Sequence, residues 1–228
     1  MNVSAKAFTQ LLAVFGCVLA LALSGCKTAN SLNSKFDTTI GKKHKVTNVH
    51  EAEILPAHLR RVALLPIHKG RYDHLDLSPI EQNFVQELGK LNLFELIAVE
   101  PDKMEELFGV ERYSSVEVLP TKLLSKLHEV YAIDGVMLID LTFYNAYQPV
   151  GMGVRAKLLD GHTGELIWAA DETFDGANPA VSNAARKYFQ TQSTSAYPLQ
   201  RTQTVLHSTA RFSKYVAFAL FETIQGTH

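Results

Sequence analysis

Two cysteines in 228 residues, Cys17 and Cys26, leave the chain almost without thiol chemistry. Neither a disulfide framework nor a zinc site built from cysteines can be assembled from them. Tryptophan occurs once, at Trp168. Charge of either sign is not in excess: 22 Lys and Arg against 23 Asp and Glu give a formal net charge of -1. That balance supplies neither the basic footprint of a nucleic-acid binder nor a polybasic membrane surface. The longest apolar run, Leu11 to Leu23, is about 13 residues, well short of the ~20 that a helix needs to cross hydrocarbon. There is no G-x-S-x-G elbow, no G-x-x-x-x-G-K phosphate loop and no H-E-x-x-H pair, so no motif points to catalysis. Internal repeats and low-complexity tracts are also missing.

What is present begins at the amino terminus. Lys6, the short apolar run and the small residues Ser24 and Gly25 have the order of a secretory signal. Leu23-Ser24-Gly25-Cys26 resembles the lipobox of bacterial lipoprotein precursors. The resemblance implies diacylglycerol on the Cys26 sulfur, cleavage before Cys26 and N-acylation. Cys17 would then be discarded and Cys26 lipidated, so the mature chain would stand on its hydrophobic core without disulfides. Lys27 is not the Asp that holds lipoproteins at the inner membrane in enteric-type bacteria, and by that analogy the outer membrane is expected. The reading divides the chain into a signal peptide over 1–25, a lipidated cysteine and flexible tether over 26–59, and a periplasmic domain over 60–228. The tether is polar and without period, and its Lys42–Lys45 run reads as solvated linker charge.

The domain opens with the apolar run Arg61–Pro66, expected to be a buried strand. Ser78-Pro79-Ile80-Glu81 has the spacing of a capping box ahead of an amphipathic helix. A second strand is expected over Phe94–Val99, then a short helix from Pro101 to Gly109 and another capped by Thr121. Gly135–Phe143 is the most apolar strand and is placed at the sheet centre. From there the rhythm changes: Gly153–Leu159 and Glu165–Ala170 alternate around Asp160-Gly161-His162-Thr163-Gly164 and predict an antiparallel hairpin at the sheet edge. A helix from Asn178-Pro179 and a last helix over roughly Thr204–Ile224 follow. The fold class expected is α/β, a single mixed sheet with a parallel βαβαβ start, an antiparallel hairpin, helices packed on the sheet and a C-terminal helix.

Candidate chemistry is sparse. His68, Asp73, His74 and Asp76 are metal-ligand types in one loop beyond a strand's carboxyl end, but without a familiar metal spacing. They define an alternative reading, an envelope enzyme or metal-binding protein, beside a small-ligand receptor with a pocket at that end of the sheet. Asp171, Glu172 and Asp175 read as solvated strand-end charges, and Trp168 as a core or hairpin residue. The Gly151-Met152-Gly153 pair precedes a strand and carries no nucleotide signal. On the last helix, Val205, Thr209, Phe212, Val216, Ala219, Leu220 and Thr223 share a face expected to dock. Phe218 and Phe221 fall on the side of His207, Arg211 and Lys214, and are read either as a candidate exposed interaction patch or as rings covered by the preceding loop around Tyr197-Pro198-Leu199.

Val62-Ala63-Leu64-Leu65-Pro66, Asp134-Gly135-Val136 and Leu158 through Trp168 together resemble a group of bacterial envelope lipoproteins. The group includes the curli-secretion lipoprotein, the penicillin-binding-protein activators, exopolysaccharide-export lipoproteins and the amino-terminal domain of the Tol-system β-propeller protein. The resemblance implies a non-enzymatic, lipid-anchored assembly factor for cell-surface or cell-wall machinery, facing the periplasm. The partners it implies are a bilayer reached through acylated Cys26, envelope proteins and further copies of itself. No cofactor, metal or nucleic acid is expected. The long alternating insertions from which curli-secretion proteins build a membrane barrel are not found here, which argues against a pore.

Overall fold

The computed structural model describes residues 44–51, 55–192 and 204–227. Cys26 and the segment before His44 lie outside the described residues. Six strands form one mixed sheet: β1 (Val49–Glu51), β2 (Arg61–Leu64), β3 (Glu95–Ala98), β4 (Gly135–Asn145), β5 (Gly151–Asp160) and β6 (Leu166–Asp175), in spatial order β1-β6-β5-β4-β2-β3. β2 runs parallel to both β3 and β4, while β4, β5, β6 and β1 pair antiparallel. Five α-helices accompany it: α1 (Ser78–Gly89), α2 (Pro101–Phe108), α3 (Leu123–Tyr131), α4 (Pro179–Gln192) and α5 (Thr209–Phe221). The fold is α/β. Among the described residues no helix is long and apolar enough to cross a membrane.

Period-2 alternation divides the core into two layers. On β4, Val136 and Leu138 point to one side and Met137 and Ile139 to the other. The first side packs on Met104 of α2 and Leu123 and Leu127 of α3. The second packs on Ile80, Phe84 and Leu88 of α1 and Phe212, Val216 and Leu220 of α5. Asn83 ties α1 to α5 by donating from Nδ2 to Ala210 O (2.6 Å) and Ser213 Oγ (2.9 Å). Trp168 is a core residue whose Nε1 donates to Thr223 Oγ1 at 3.1 Å.

Turn chemistry closes the amino-terminal end of the parallel strands. Asp134 Oδ2 accepts from the amides of Arg60 (3.1 Å) and Arg61 (3.0 Å), and Asp160 Oδ1 accepts from the amides of His162 (2.8 Å) and Thr163 (2.9 Å). The second Asp160 oxygen meets His58 Nε2 at 2.6 Å. Burial works to raise both carboxyls, but these hydrogen bonds outweigh it and hold each below the usual aspartate range. Gly161 is required between them, because a Cβ there would lie 2.8 Å from the Asp134 carbonyl carbon. The Gly151–Gly153 pair has a similar role on β5: a side chain at Gly151 would strike the Phe143 ring at 2.7 Å.

Several expectations are corrected. Ser78 does not cap α1; its amide and hydroxyl both donate to Asp76 Oδ1, and Leu77 stands at the N-cap. Glu81 turns away from the helix start to accept from Ile67 N at 3.0 Å. Thr121 is not a cap either, since α3 begins after Lys122 with no side-chain cap. The hairpin is not the sheet edge, because β1 pairs with β6 from Val49↔Ala170 to Glu51↔Trp168. That pairing moves the domain boundary back from residue 60: residues 44–51, expected as tether, belong to the domain. The last helix is interrupted, with 3₁₀ turns at Thr204–His207 and Glu222–Thr227 flanking α5.

Candidate functional site

The carboxyl ends of β2, β3 and β4 lie side by side, and α/β sheets place their functional loops at this end. One connection crosses it, residues 109–122 between α2 and α3. Gly109, left-handed at φ 71°, ends α2 and turns the chain into this loop. Three contacts then fix the loop. Tyr113 is buried against Phe108, with ring centroids 6.2 Å apart. Arg112 Nη1 donates to Ile67 O at 2.7 Å and pairs closely with Glu81 Oε1. Ser115 reaches Asp140, which stands on the central strand with 4% of its surface exposed: its amide donates to Oδ1 at 2.9 Å and its hydroxyl to Oδ2. Lys157 Nζ adds a bond to Ser115 O at 2.7 Å.

His68 Nδ1 lies 3.6 Å from the same Asp140. The carboxylate therefore stands between Ser115 and His68, and the imidazole is not placed to take a proton from the hydroxyl. The arrangement is a buried anchor for a loop. Beyond that anchor the loop turns apolar side chains outward, with Val116 62% and Val118 98% exposed. Beside it lies a cleft of about 380 Å³ between Leu64–Ile67, the first two turns of α1 and Ala98–Pro101. Arg112 lines this cleft, and its Nε is buried without a partner.

The loop residues singled out from sequence are not brought together. His68 joins Asp140, Asp76 is taken by Ser78, and Asp73 and His74 are exposed. Among the described residues, no group of three or more His, Cys, Asp or Glu could hold a metal ion. Asp171 pairs with Arg155 at 2.7 Å, Glu172 accepts from Thr47 N at 3.1 Å, and Asp175 accepts from Ala177 N at 2.8 Å. The exposed pair expected at Phe218 and Phe221 is corrected. Phe221 is fully buried, edge-on to Phe84 at 5.7 Å and close to Trp168 at 6.3 Å. Phe218 is half-buried and stacks on Tyr188 of α4 at 4.7 Å. The cause is that α5 is covered by α1 and α4 as well as by the sheet, so burial spreads beyond one helical face. Sequence reasoning missed Asp140, Ser115, Arg112 and the two valines. A signal existed for Asp140, the only charge in the apolar run Gly135–Phe143.

No protein-family model matches the chain, and no curated protein matches it in sequence. Solved structures do resemble it. A PelC dodecamer from Paraburkholderia phytofirmans is similar at 15% identity and a TM-score of 0.43, over 78% of this chain and 94% of that one. Lipoprotein GNA1162 from Neisseria meningitidis gives 14% and 0.38, over 64% and 95%. The LpoB C-terminal domain from Salmonella enterica gives 15% and 0.36, over 51% and 83%. These are likenesses in the course of the backbone and assign no activity.

Proposed function

We propose that the chain is a non-enzymatic envelope lipoprotein, anchored in the outer membrane through acylated Cys26, that binds a protein partner with the loop over residues 109–122. One observation carries the binding role: two valines, Val116 and Val118, are held in water by a loop whose base is fixed to the buried Asp140. Exposing apolar side chains on a fixed backbone lowers the ordering cost that a partner would otherwise meet. Single exposed apolar residues are common; here two lie two positions apart on a loop whose base is held by the buried Asp140. The anchor is supported by the residue pattern ending at Cys26. Three acyl chains at ~0.8 kcal/mol per buried CH₂ far exceed what reversible attachment needs.

Two substitutions test the two halves separately. Cys26→Ser is expected to leave an unprocessed or mislocalised precursor; mature protein of unchanged mass in the membrane fraction would refute the anchor. Val116→Ser with Val118→Ser is expected to keep the melting temperature, since neither side chain is buried, while abolishing crosslinks to envelope partners in the cells that make the protein. An unchanged crosslinking pattern would remove the loop from the interface. A second reading, a small-ligand receptor, is favoured by the unpartnered Arg112 Nε in the adjoining cleft. The Val116→Ser, Val118→Ser variant separates it, because a cleft that takes a small ligand would keep its function without the two exposed valines.

A further inference from the structure

A second cleft, of about 360 Å³, lies between α4 and α5, away from the loop, and His44 and Lys45 form one of its walls. Four buried side-chain polar atoms among the described residues have no hydrogen-bond partner, and three belong to residues lining this cleft: His44 Nε2, Tyr188 Oη and Tyr215 Oη. Native proteins leave few such atoms, so those around one cavity that nothing else answers call for an explanation in the cavity itself. The Tyr188 hydroxyl has the Glu87 carboxylate near it, and the case therefore rests on Tyr215, 2% exposed, and on His44. Burial pushes the Tyr215 phenol up, well clear of ionisation, and Glu222 and Glu172 add to the effect. Burial also lowers His44, so its ring is neutral near pH 7. The interior of the cleft thus offers neutral hydrogen-bond donors.

Charge surrounds them. Lys45, Lys187 and Glu222 line the cleft as exposed side chains and make no ion pair among the described residues. Phe218, with Ala184 and Ala219, supplies an apolar wall. A single water could satisfy one orphaned atom, whereas a ligand that also reaches the exposed charges at the rim gains their contacts as well. A purely anionic ligand would suit the lysines and be repelled by Glu222. A zwitterion whose phosphate meets Lys45, Lys187 and the Tyr215 hydroxyl, and whose ammonium meets Glu222, answers the three charges and the orphaned phenol together. We propose that this cleft binds the phosphoethanolamine head of a phospholipid, with the glycerol and first acyl carbons against Phe218. The site is separate from the loop over 109–122 and stands or falls without it.

The test uses the full chain in a non-ionic detergent. It is titrated with dihexanoyl-phosphatidylethanolamine below its micelle concentration, against dihexanoyl-phosphatidylglycerol, O-phosphoethanolamine and inorganic phosphate. Native mass spectrometry reads occupancy, and calorimetry reads the melting temperature. The ethanolamine lipid is expected to bind at least about tenfold tighter than the glycerol lipid, the worth of one charge-assisted contact. Tyr215→Phe and Lys187→Ala should each weaken it about tenfold, and Glu222→Gln should erase the preference over the glycerol lipid. Without ligand, Tyr215→Phe should melt no lower than the parent, because the hydroxyl it removes has no partner; a merely structural tyrosine would melt lower. Equal binding of the two lipids, or affinity unmoved by Tyr215→Phe and Lys187→Ala, overturns the proposal. O-phosphoethanolamine binding as tightly as the lipid overturns the membrane source.

Discussion

Asp140 and Phe221 show how one residue can govern a region. A carboxylate at the centre of an apolar strand is tolerated because two Ser115 donors meet it, and hydrogen bonds to a charged group contribute about 1.5–3 kcal/mol each. Asp140→Ala leaves the Ser115 amide and hydroxyl without acceptors. We expect a loss of about 2–4 kcal/mol, within the range found when a buried charge network is broken. The loss should be concentrated in the loop: amide exchange at residues 113–118 should speed up by orders of magnitude while β4 and β5 stay protected. Uniform deprotection would refute the anchoring role. Phe221 gives the opposite lesson about substitution. Removing a ring that fills the space between Phe84 and Trp168 should cost about 3–5 kcal/mol, so Phe221→Ala is expected to melt roughly 10 °C lower. Phe218→Ala should cost less than half as much, since its ring is half in water.

At the scale of elements, what could be read from sequence was local. β2, the helix from Pro101 to Gly109, β4 and the β5–β6 hairpin all lie where periodicity and turn residues put them, because the forces that set them act within a few residues. The Asp134 and Asp160 turns belong to this class, and they make a pH-dependent statement. Both carboxyls titrate below their unfolded value, so the stability they give is complete above about pH 4 and is lost as pH falls through the lower native value. Melting temperature should therefore fall steeply below about pH 4, and Asp134→Asn with Asp160→Asn should flatten that fall. An equally steep acid limb in the double variant would place the titration elsewhere. Elements defined by distant partners were not legible. β1 has three residues in a polar stretch, and only its pairing with β6 some 120 residues later makes it a strand. The failed capping box at Ser78 has the same origin: Arg112 and Ile67, far along the chain, claim Glu81. The exposed valines of the loop over residues 109–122 escaped notice because Val116 and Val118 in isolation look like ordinary strand residues.

For the molecule as a whole, the two ends of the sheet divide the work. The amino-terminal end of the parallel strands is closed by aspartate turns, and the carboxyl-terminal end presents the loop with its cleft. β1 has a mechanical consequence. It is the first strand after the proposed anchor, it hangs on the sheet by three paired residues, and its hydrogen bonds open one after another when its leading end is drawn outward. With Cys26 held in a bilayer, a partner pulling the domain away would load this strand before any other. Peeling it frees at most residues 44–57, up to His58 on Asp160, and at about 3.3 Å per extended residue those 14 add roughly 45 Å of reach. The other five strands would stay paired, so β1 would work as a clasp that lengthens the leash under tension and re-forms when the pull ends.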